Sequence, residues 1–188
     1  MDKQSDVILL TGMKHCGKTT LGKRLASLLN YRFIDMDELI ESEYLANEGL
    51  RASCRQIYRN HGEAFFRYLE VKAAGNLAAR IHSGELKRAI VALGGGTVSN
   101  TAALNVLKNT GFFVYLEEDA EVLYKRILEG GLPPFLATED PWGDFMAVYN
   151  DRCRLFEKIT DTTVKLEGRN VEESLQLLVP VLKNLVKG

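Results

Sequence analysis

Hydrophobic residues along the chain form short uninterrupted runs, separated by longer segments in which they recur at helical spacing. Strands buried on both faces, as in parallel sheets, read as such runs, so the alternation predicts an α/β fold with a parallel sheet covered by helices. The runs with the length of buried strands are VILLT at 7–11, RFID at 32–35, AIVAL at 89–93, FFVYL at 112–116 and TVKL at 163–166.

The segments between these runs carry the spacing of amphipathic helices. KTTLGKRLASLLN is predicted to place Leu21, Leu25, Leu28 and Leu29 on one helical face. VEESLQLLVPVLKNLV repeats apolar residues at similar intervals, and Pro180 within it is expected to kink the helix or end it early. The chain has no internal repeat and no linker rich in proline, glycine and serine, so we expect a single domain over 1–188.

Charge and cysteine content narrow the possible partners. The 24 lysines and arginines nearly balance the 25 acids, which gives no reason to expect nucleic acid or an anionic membrane as a partner. Cys16, Cys54 and Cys153 form no CxxC pair, which favours a reducing compartment and argues against a zinc site. No run approaches the roughly 18 apolar residues of a membrane span. We therefore expect a soluble, cytoplasmic protein with a small-molecule substrate. We also expect a monomer, although composition does not determine the oligomeric state.

The first predicted strand and helix enclose the pattern Gly12-x-x-x-x-Gly17-Lys18-Thr19. In this setting the backbone N–H groups and the helix N-terminus bind phosphates, Lys18 reaches the β- and γ-phosphates, and the Thr19 hydroxyl ligates Mg²⁺. The pattern predicts a site for a nucleoside triphosphate, which GTPases, motors and small-molecule kinases all possess. The predicted nucleotide-binding residues of the loop are Gly12, Lys14, His15, Cys16, Gly17, Lys18, Thr19 and Thr20.

His15 and Cys16 occupy free positions of this pattern. A catalytic histidine–cysteine pair is an alternative interpretation, but the phosphate loop already explains the spacing. Because Cys16 precedes a helix N-terminus, we expect it to react with thiol reagents.

Two carboxylates end the second predicted strand. Asp35 and Asp37 are two residues apart, which places them on the same side of an extended backbone. One can hold Mg²⁺ through water, and the other can accept a proton from an attacking hydroxyl or orient it. The alternative interpretation is a helix N-cap followed by a solvated acid.

Residues further along the chain indicate the phosphoryl acceptor. Arg67 and Glu70 are three apart on a predicted helix, where the carboxylate can orient the guanidinium, although such a pair is also common on surfaces. The glycines at 94–96 follow the third strand and let a ligand approach backbone N–H groups. Arg152 and Arg154 are candidates for a bidentate grip on a carboxylate.

With these motifs, the sequence resembles the shikimate kinases, a family with the P-loop NTPase fold of the nucleoside-monophosphate-kinase-like type. The resemblance runs from Val7 to about Leu185 and rests on GMKHCGKTT, FIDMDELI, GEAFFRYLE, LGGGTV, DRCRLF and EGRNVEE. It implies a three-layer α/β/α architecture with a five-stranded parallel sheet, and transfer of the γ-phosphoryl of ATP to the 3-hydroxyl of shikimate with Mg²⁺. It also implies a shikimate-binding region at 36–84 and a mobile lid at 129–147.

The resemblance assigns roles to individual residues. Lys18 and Asp37 are the implied catalytic residues, and Thr19 and Asp35 the implied metal residues, Asp35 acting through water. Arg126 and the GRN at 168–170, which includes Arg169, lie where the family packs around adenine. The residues implied to bind shikimate are Asp37, Arg67, Glu70, Gly94, Gly95, Gly96 and Arg152.

The lid departs from the family pattern. Pro133 stands where the family carries an arginine before a proline, and no lysine or arginine occurs between Arg126 and Arg152. Three outcomes remain open: a slow shikimate kinase that relies on Lys18 and Mg²⁺; a kinase that takes the charge from Arg154, Lys125 or a neighbouring subunit; or a protein with another hydroxy-acid acceptor or little turnover. Phe135 or Trp142 is expected to help exclude water when the lid closes.

Overall fold

The computed structural model describes residues 6–130, 136 and 138–186. Every predicted strand is present, within one residue of its predicted ends. The strands are β1 (Asp6–Thr11), β2 (Arg32–Asp35), β3 (Arg88–Ala92), β4 (Phe112–Glu117) and β5 (Thr162–Lys165). They form one sheet that is parallel throughout, with the order β2-β3-β1-β4-β5.

Helices cover both faces of this sheet because successive residues of each strand point to opposite sides. The helices are α1 (Lys18–Leu29), α2 (Met36–Glu48), α3 (Cys54–His82), α4 (Thr101–Leu107), α5 (Ala120–Glu129), α6 (Pro141–Ile159) and α7 (Val171–Leu185), with a short 3-10 helix at Thr97–Ser99. Ile8 and Leu10 pack with α1, α5, α6 and α7, whereas Val7 and Leu9 pack with α2, α3 and α4. The predicted three-layer α/β/α architecture is therefore confirmed.

Side-chain caps fix where several of these helices begin. The Asp35 carboxylate accepts from the N–H of Asp37 at the start of α2, and Ser53 forms a capping box with Gln56 at the start of α3. A non-helical backbone at Gly62, with φ of 80°, interrupts α3. The part of α3 that follows this break carries the predicted acceptor residues.

Two helices differ from what the sequence predicted. Leu28 does not share the buried face of α1: it is 62% exposed, because the small residues Gly22 and Ala26 lie on that face instead. The last helix does not end early, since it continues through Pro180 to Leu185. Proline has no N–H group, so the Gln176 carbonyl, one turn before Pro180, lacks its helical donor. Both residues are exposed, so water can donate to that carbonyl instead.

The carboxyl ends of the parallel strands meet at one edge of the sheet. The phosphate loop follows β1, Asp35 ends β2, and the glycines at 94–96 come shortly after β3. In open α/β sheets ligands bind at this edge, so the topology gathers the predicted site residues there.

The predicted lid at 129–147 is described only in part. Residues 131–135 and 137 lie outside the described residues, and Pro133 and Phe135 are among them. Trp142 lies on α6, where it packs against Tyr124 of α5 with 5.0 Å between ring centroids. None of the helices in the described part of the chain is long and apolar enough to cross a membrane.

Candidate active site

The phosphate loop between β1 and α1 is a tight curve. Gly12 has φ of 144°, and a β-carbon at this position would lie 2.6 Å from the Leu116 carbonyl oxygen of β4. Only glycine fits so close to the neighbouring strand. The Lys18 Nζ donates to the carbonyl oxygens of Gly12 and Met13 at 2.9 and 2.8 Å, so the loop backbone holds its ammonium group.

His15 and Cys16 do not form a catalytic pair in this arrangement. Cys16 is 1% exposed and lies 3.7 Å from the Lys18 Nζ, whereas His15 is exposed, and no hydrogen bond joins the two side chains in the described part of the chain. The burial also argues against the expected reaction of Cys16 with thiol reagents. Partial burial and the nearby cations Lys14, Lys18 and Arg126 lower the pKa of His15.

Thr19 and Asp35 meet across the cleft between α1 and β2. The Thr19 hydroxyl donates to the Asp35 Oδ2 at 2.9 Å, and the Asp35 Oδ1 accepts from the Asp37 N–H at 3.0 Å. Mg²⁺ prefers oxygen ligands and is commonly held by one or two protein groups together with nucleotide phosphates. The two side chains beside the phosphate loop fit such an ion.

Asp37 lies in the first turn of α2, so the predicted extended backbone at the two aspartates is wrong and the alternative, a helix N-cap at Asp35, is confirmed. The strand ends at Asp35 because its side chain caps the helix. Part of the Asp37 side chain is exposed, but loss of hydration and the charge of Asp35 raise its pKa, against smaller opposing effects of Lys18 and Lys14. A raised pKa suits a carboxylate that accepts a proton.

Arg67 and Glu70 form an interior network, not a surface pair. Glu70 is 1% exposed, and its Oε2 accepts from the Arg67 Nη1 at 3.0 Å. Thr97 and Asn100, which sequence reasoning missed, donate to the same carboxylate at 2.6 and 2.8 Å. Their position directly after the glycine triplet, in the turn between β3 and α4, was the available signal. The Arg67 Nη1 also donates to the Gly96 carbonyl oxygen at 3.0 Å, which fixes the guanidinium.

The glycine turn brings the acceptor residues together. A β-carbon at Gly94 would lie 3.3 Å from the Asp37 Oδ1, and one at Gly96 would lie 3.4 Å from the Arg67 Nη2 and 3.9 Å from the Arg152 Nη2. Residues from α2, α3 and α6 therefore face the same small space, which side chains at these glycines would fill.

Arg152 faces this space without a counter-charge from the described residues. Among the described residues it makes no hydrogen bond or ion pair, and burial together with the nearby Arg67 lowers its pKa. Two guanidinium groups held together, one of them without an acid among the described residues, suit an anion such as a carboxylate.

Gly95 also packs against the phosphate loop. A β-carbon at Gly95 would lie 2.9 Å from the Lys14 backbone nitrogen, a distance that no side chain tolerates. The glycine therefore allows the turn at 94–96 to pack against the phosphate loop, which brings the predicted phosphate and acceptor sites together.

Arg154 and Lys125, the two residues suggested as replacements for a lid cation, are both exposed. Arg154 has a 75% exposed side chain and lies 3.9 Å from Asp151, although it is only two residues from Arg152 on α6. Lys125 on α5 is also exposed. Neither side chain is among those that face the acceptor space.

A cavity of about 210 Å³ lies on the other side of the phosphate loop. Arg126 on α5 donates from Nη1 to the His15 carbonyl oxygen at 3.0 Å, which joins the cavity wall to the loop. Arg169 donates to the Leu166 carbonyl oxygen at 3.2 Å on the opposite wall. The cavity adjoins the phosphate loop as a nucleoside site must. Its polar lining residues are His15, Thr20, Glu118, Arg126, Arg169 and Ser174.

Comparisons with known proteins agree with this geometry. The family model for shikimate kinase matches residues 14–183. The shikimate kinase of Caldanaerobacter subterraneus subsp. tengcongensis is 34% identical over 166 residues, which cover 88% of this chain and 90% of that protein. The shikimate kinase of Thermoanaerobacter pseudethanolicus is 30% identical over 181 residues, which cover 96% and 98%.

A solved structure is similar over nearly the whole chain. The structure of shikimate kinase from Acinetobacter baumannii in complex with shikimate superposes with a TM-score of 0.79 at 27% identity, covering 97% of this chain and 96% of that one. The sheet order, the phosphate loop and the adjoining acceptor space thus define a P-loop kinase of the nucleoside-monophosphate-kinase-like class. Within that class, the chain belongs to the shikimate kinase family.

Proposed function

We propose that the protein transfers the γ-phosphoryl group of ATP to the 3-hydroxyl of shikimate. The observation that carries this proposal is the pairing of Arg67 with the uncompensated Arg152 beside Asp37, one small space away from the phosphate loop. An acceptor with a carboxylate and hydroxyl groups matches these charges. Membership of the shikimate kinase family supports the same substrate.

The donor site has two parts. The phosphate loop, with Gly12, Lys14 and Gly17, holds the phosphates, and Lys18 exchanges its loop carbonyls for phosphate oxygens when the nucleotide binds. The base and ribose occupy the cavity between Arg126 and Arg169. Thr19 would hold Mg²⁺ directly and Asp35 through water, and the ion supplies charge neutralisation at the β- and γ-phosphates.

The acceptor site positions one hydroxyl. Arg67, fixed by Glu70, and Arg152 bind the shikimate carboxylate, which anchors the ring against the glycines at 94–96. The 3-hydroxyl oxygen of shikimate forms a bond to the γ-phosphorus of ATP while Asp37 accepts the hydroxyl proton. The bond between the γ-phosphorus and the β-phosphate oxygen breaks, and ADP leaves. Such transfer depends mainly on positioning and on charge stabilisation.

Separate regions of one kinase domain, which spans 1–188, carry these functions. We assign shikimate binding to residues 36–84 and closure over the site to a lid at 129–147. We further propose a cytoplasmic monomer that binds neither nucleic acid nor membrane. The three cysteines are free thiols, which suits a reducing compartment.

A coupled assay of ADP release tests the proposal. Purified protein with ATP and Mg²⁺ should release ADP only when shikimate is added, and Lys18→Ala should abolish that release. Absence of shikimate-dependent turnover at high enzyme concentration would refute the assignment. Calorimetric binding of ATP without binding of shikimate would then indicate a nucleotide-binding protein, and turnover with another hydroxy-acid would indicate a different acceptor.

A further inference from the structure

Glu118 is a buried carboxylate that the phosphoryl-transfer chemistry does not use. It directly follows β4, is 2% exposed and lines the nucleoside cavity. Burying a carboxylate is costly unless hydrogen bonds and opposite charge compensate for the lost hydration. The groups that donate hydrogen bonds or positive charge to Glu118 therefore show which parts of the structure it holds in place.

One oxygen of Glu118 fixes the turn between β5 and α7. The Oε1 accepts from the Gly168 N–H at 2.8 Å and from the Asp119 N–H at 3.1 Å. Gly168 has φ of 70° and precedes Arg169, whose guanidinium lies on the same turn. Glu118 thereby anchors the turn at Gly168, which forms one wall of the cavity.

The other oxygen faces the opposite wall. The Glu118 Oε2 lies 3.2 Å from the Arg126 Nη1 and has no hydrogen-bond partner among the described residues. The same Nη1 donates to the His15 carbonyl oxygen at 3.0 Å, so the interaction with Glu118 is an ion pair. A single carboxylate thus contacts both walls, one through a backbone N–H and one through charge.

We propose that Glu118 is a positioning residue for the nucleotide base: it holds the Gly168 turn and Arg126 at the spacing that a purine ring requires. The proposal rests on the proposed function in that the donor is a purine nucleotide. Binding is tighter when the walls of a site are already ordered, because the ligand need not order them. Glu118 acts through its two neighbours and makes no contact with the transferred phosphoryl group.

Calorimetry with two ligands tests this role in the intact protein. ADP fills both the cavity and the phosphate loop, whereas inorganic tripolyphosphate fills the loop alone. We expect Glu118→Gln, which retains an oxygen for the Gly168 N–H but loses the charge opposite Arg126, to weaken ADP binding roughly tenfold. Glu118→Ala should weaken it further. The affinity for tripolyphosphate should stay within about twofold of the original value.

Glu117→Gln is the matched control, since this neighbouring carboxylate pairs with Lys165 at 3.8 Å. It should leave ADP binding unchanged. In turnover, Glu118→Gln should raise the KM for ATP and leave the KM for shikimate unchanged.

Two results would overturn the inference. One is ADP affinity that stays at the original value in Glu118→Gln, even if its melting temperature falls. The other is an equal loss of ADP and tripolyphosphate affinity, which would move the role to the phosphate loop. If Glu118→Ala does not fold, Glu118→Gln alone decides. Because ADP binding needs no acceptor, this test can fail while shikimate-dependent turnover stands, and the converse also holds.

Discussion

The Thr19 hydroxyl donates to the Asp35 Oδ2 at 2.9 Å, which ties the start of α1 to the end of β2. The contact joins the phosphate loop to the acceptor half of the site, because Asp35 also caps the helix that carries Asp37. The cap on α2 uses the Asp35 Oδ1, whereas Thr19 donates to Oδ2, so a change at Thr19 should affect the proposed Mg²⁺ site and leave Asp37 in place.

Thr19→Val removes the hydroxyl while keeping the shape of the side chain. We expect turnover to fall by roughly tenfold or more, and the Mg²⁺ concentration for half-maximal rate to rise, since a ligand is lost. Titration of Mg²⁺ in the ADP-release assay measures both. Thr19→Ser retains the hydroxyl and should behave nearly as the original protein. Equal Mg²⁺ dependence in the Val and Ser variants would contradict the assignment.

Arg152→Ala should weaken the binding of shikimate and leave the binding of ATP nearly unchanged. A charge-assisted hydrogen bond contributes about 1.5–3 kcal/mol, so the KM for shikimate should rise roughly 10- to 100-fold while the KM for ATP changes little. Arg154→Ala is the matched control on the same helix, because its 75% exposed side chain points away. Steady-state kinetics with each substrate varied in turn give the comparison. A similar change in both variants would show that Arg152 has no special part in binding the acceptor.

Asp37→Asn should separate activity from stability. Loss of the proton acceptor should lower turnover by about 10²- to 10⁴-fold. Folding raises the pKa of Asp37, so its ionised form is disfavoured in the native state and destabilises the protein above that pKa. The variant should therefore melt at a higher temperature near pH 7, and this gain should disappear as the pH falls below the ordinary aspartate pKa.

The pH profile of the unmodified protein gives a second check on Asp37. The acidic limb of kcat/KM should reflect a group with a pKa above the usual aspartate value, because protonated Asp37 cannot accept the hydroxyl proton. An acidic limb that is the same in the original protein and in Asp37→Asn would assign the limb to another group.

Pro133→Arg tests whether the lid sequence limits the rate. A cation that meets developing charge on the transferred phosphoryl group contributes several powers of ten to some phosphoryl transfers, so this variant should turn over faster by about tenfold or more. Pro134→Arg, one residue further, controls for the loss of a proline and the gain of charge. Steady-state turnover at saturating ATP and shikimate measures the effect. An unchanged or lower rate in Pro133→Arg would mean that the required charge comes from another part of the protein.

Sequence patterns predicted all five strands closely. The runs of β1, β3 and β4 are almost fully buried and leave little ambiguity, whereas β2 and β5 lie at the edges of the sheet and are more exposed. The helical faces were less certain, as Leu28 shows: apolar spacing alone did not reveal that the small residues Gly22 and Ala26 fit against the sheet and leave this leucine in solvent. The α7 helix likewise continues through Pro180, since tertiary packing of its apolar face outweighs the loss of one hydrogen bond at an exposed position.

The sequence by itself determined the phosphate loop, the order of the strands along the chain and the identity of the charged residues at the edge of the sheet. These are local properties, set by spacing and residue type. Only the tertiary structure decided that Glu70 is buried under Thr97 and Asn100, that Gly95 packs on Lys14, and that Glu118 joins two walls of a cavity. Each of these contacts brings together segments distant along the chain, and no local pattern encodes the distance at which folded elements meet.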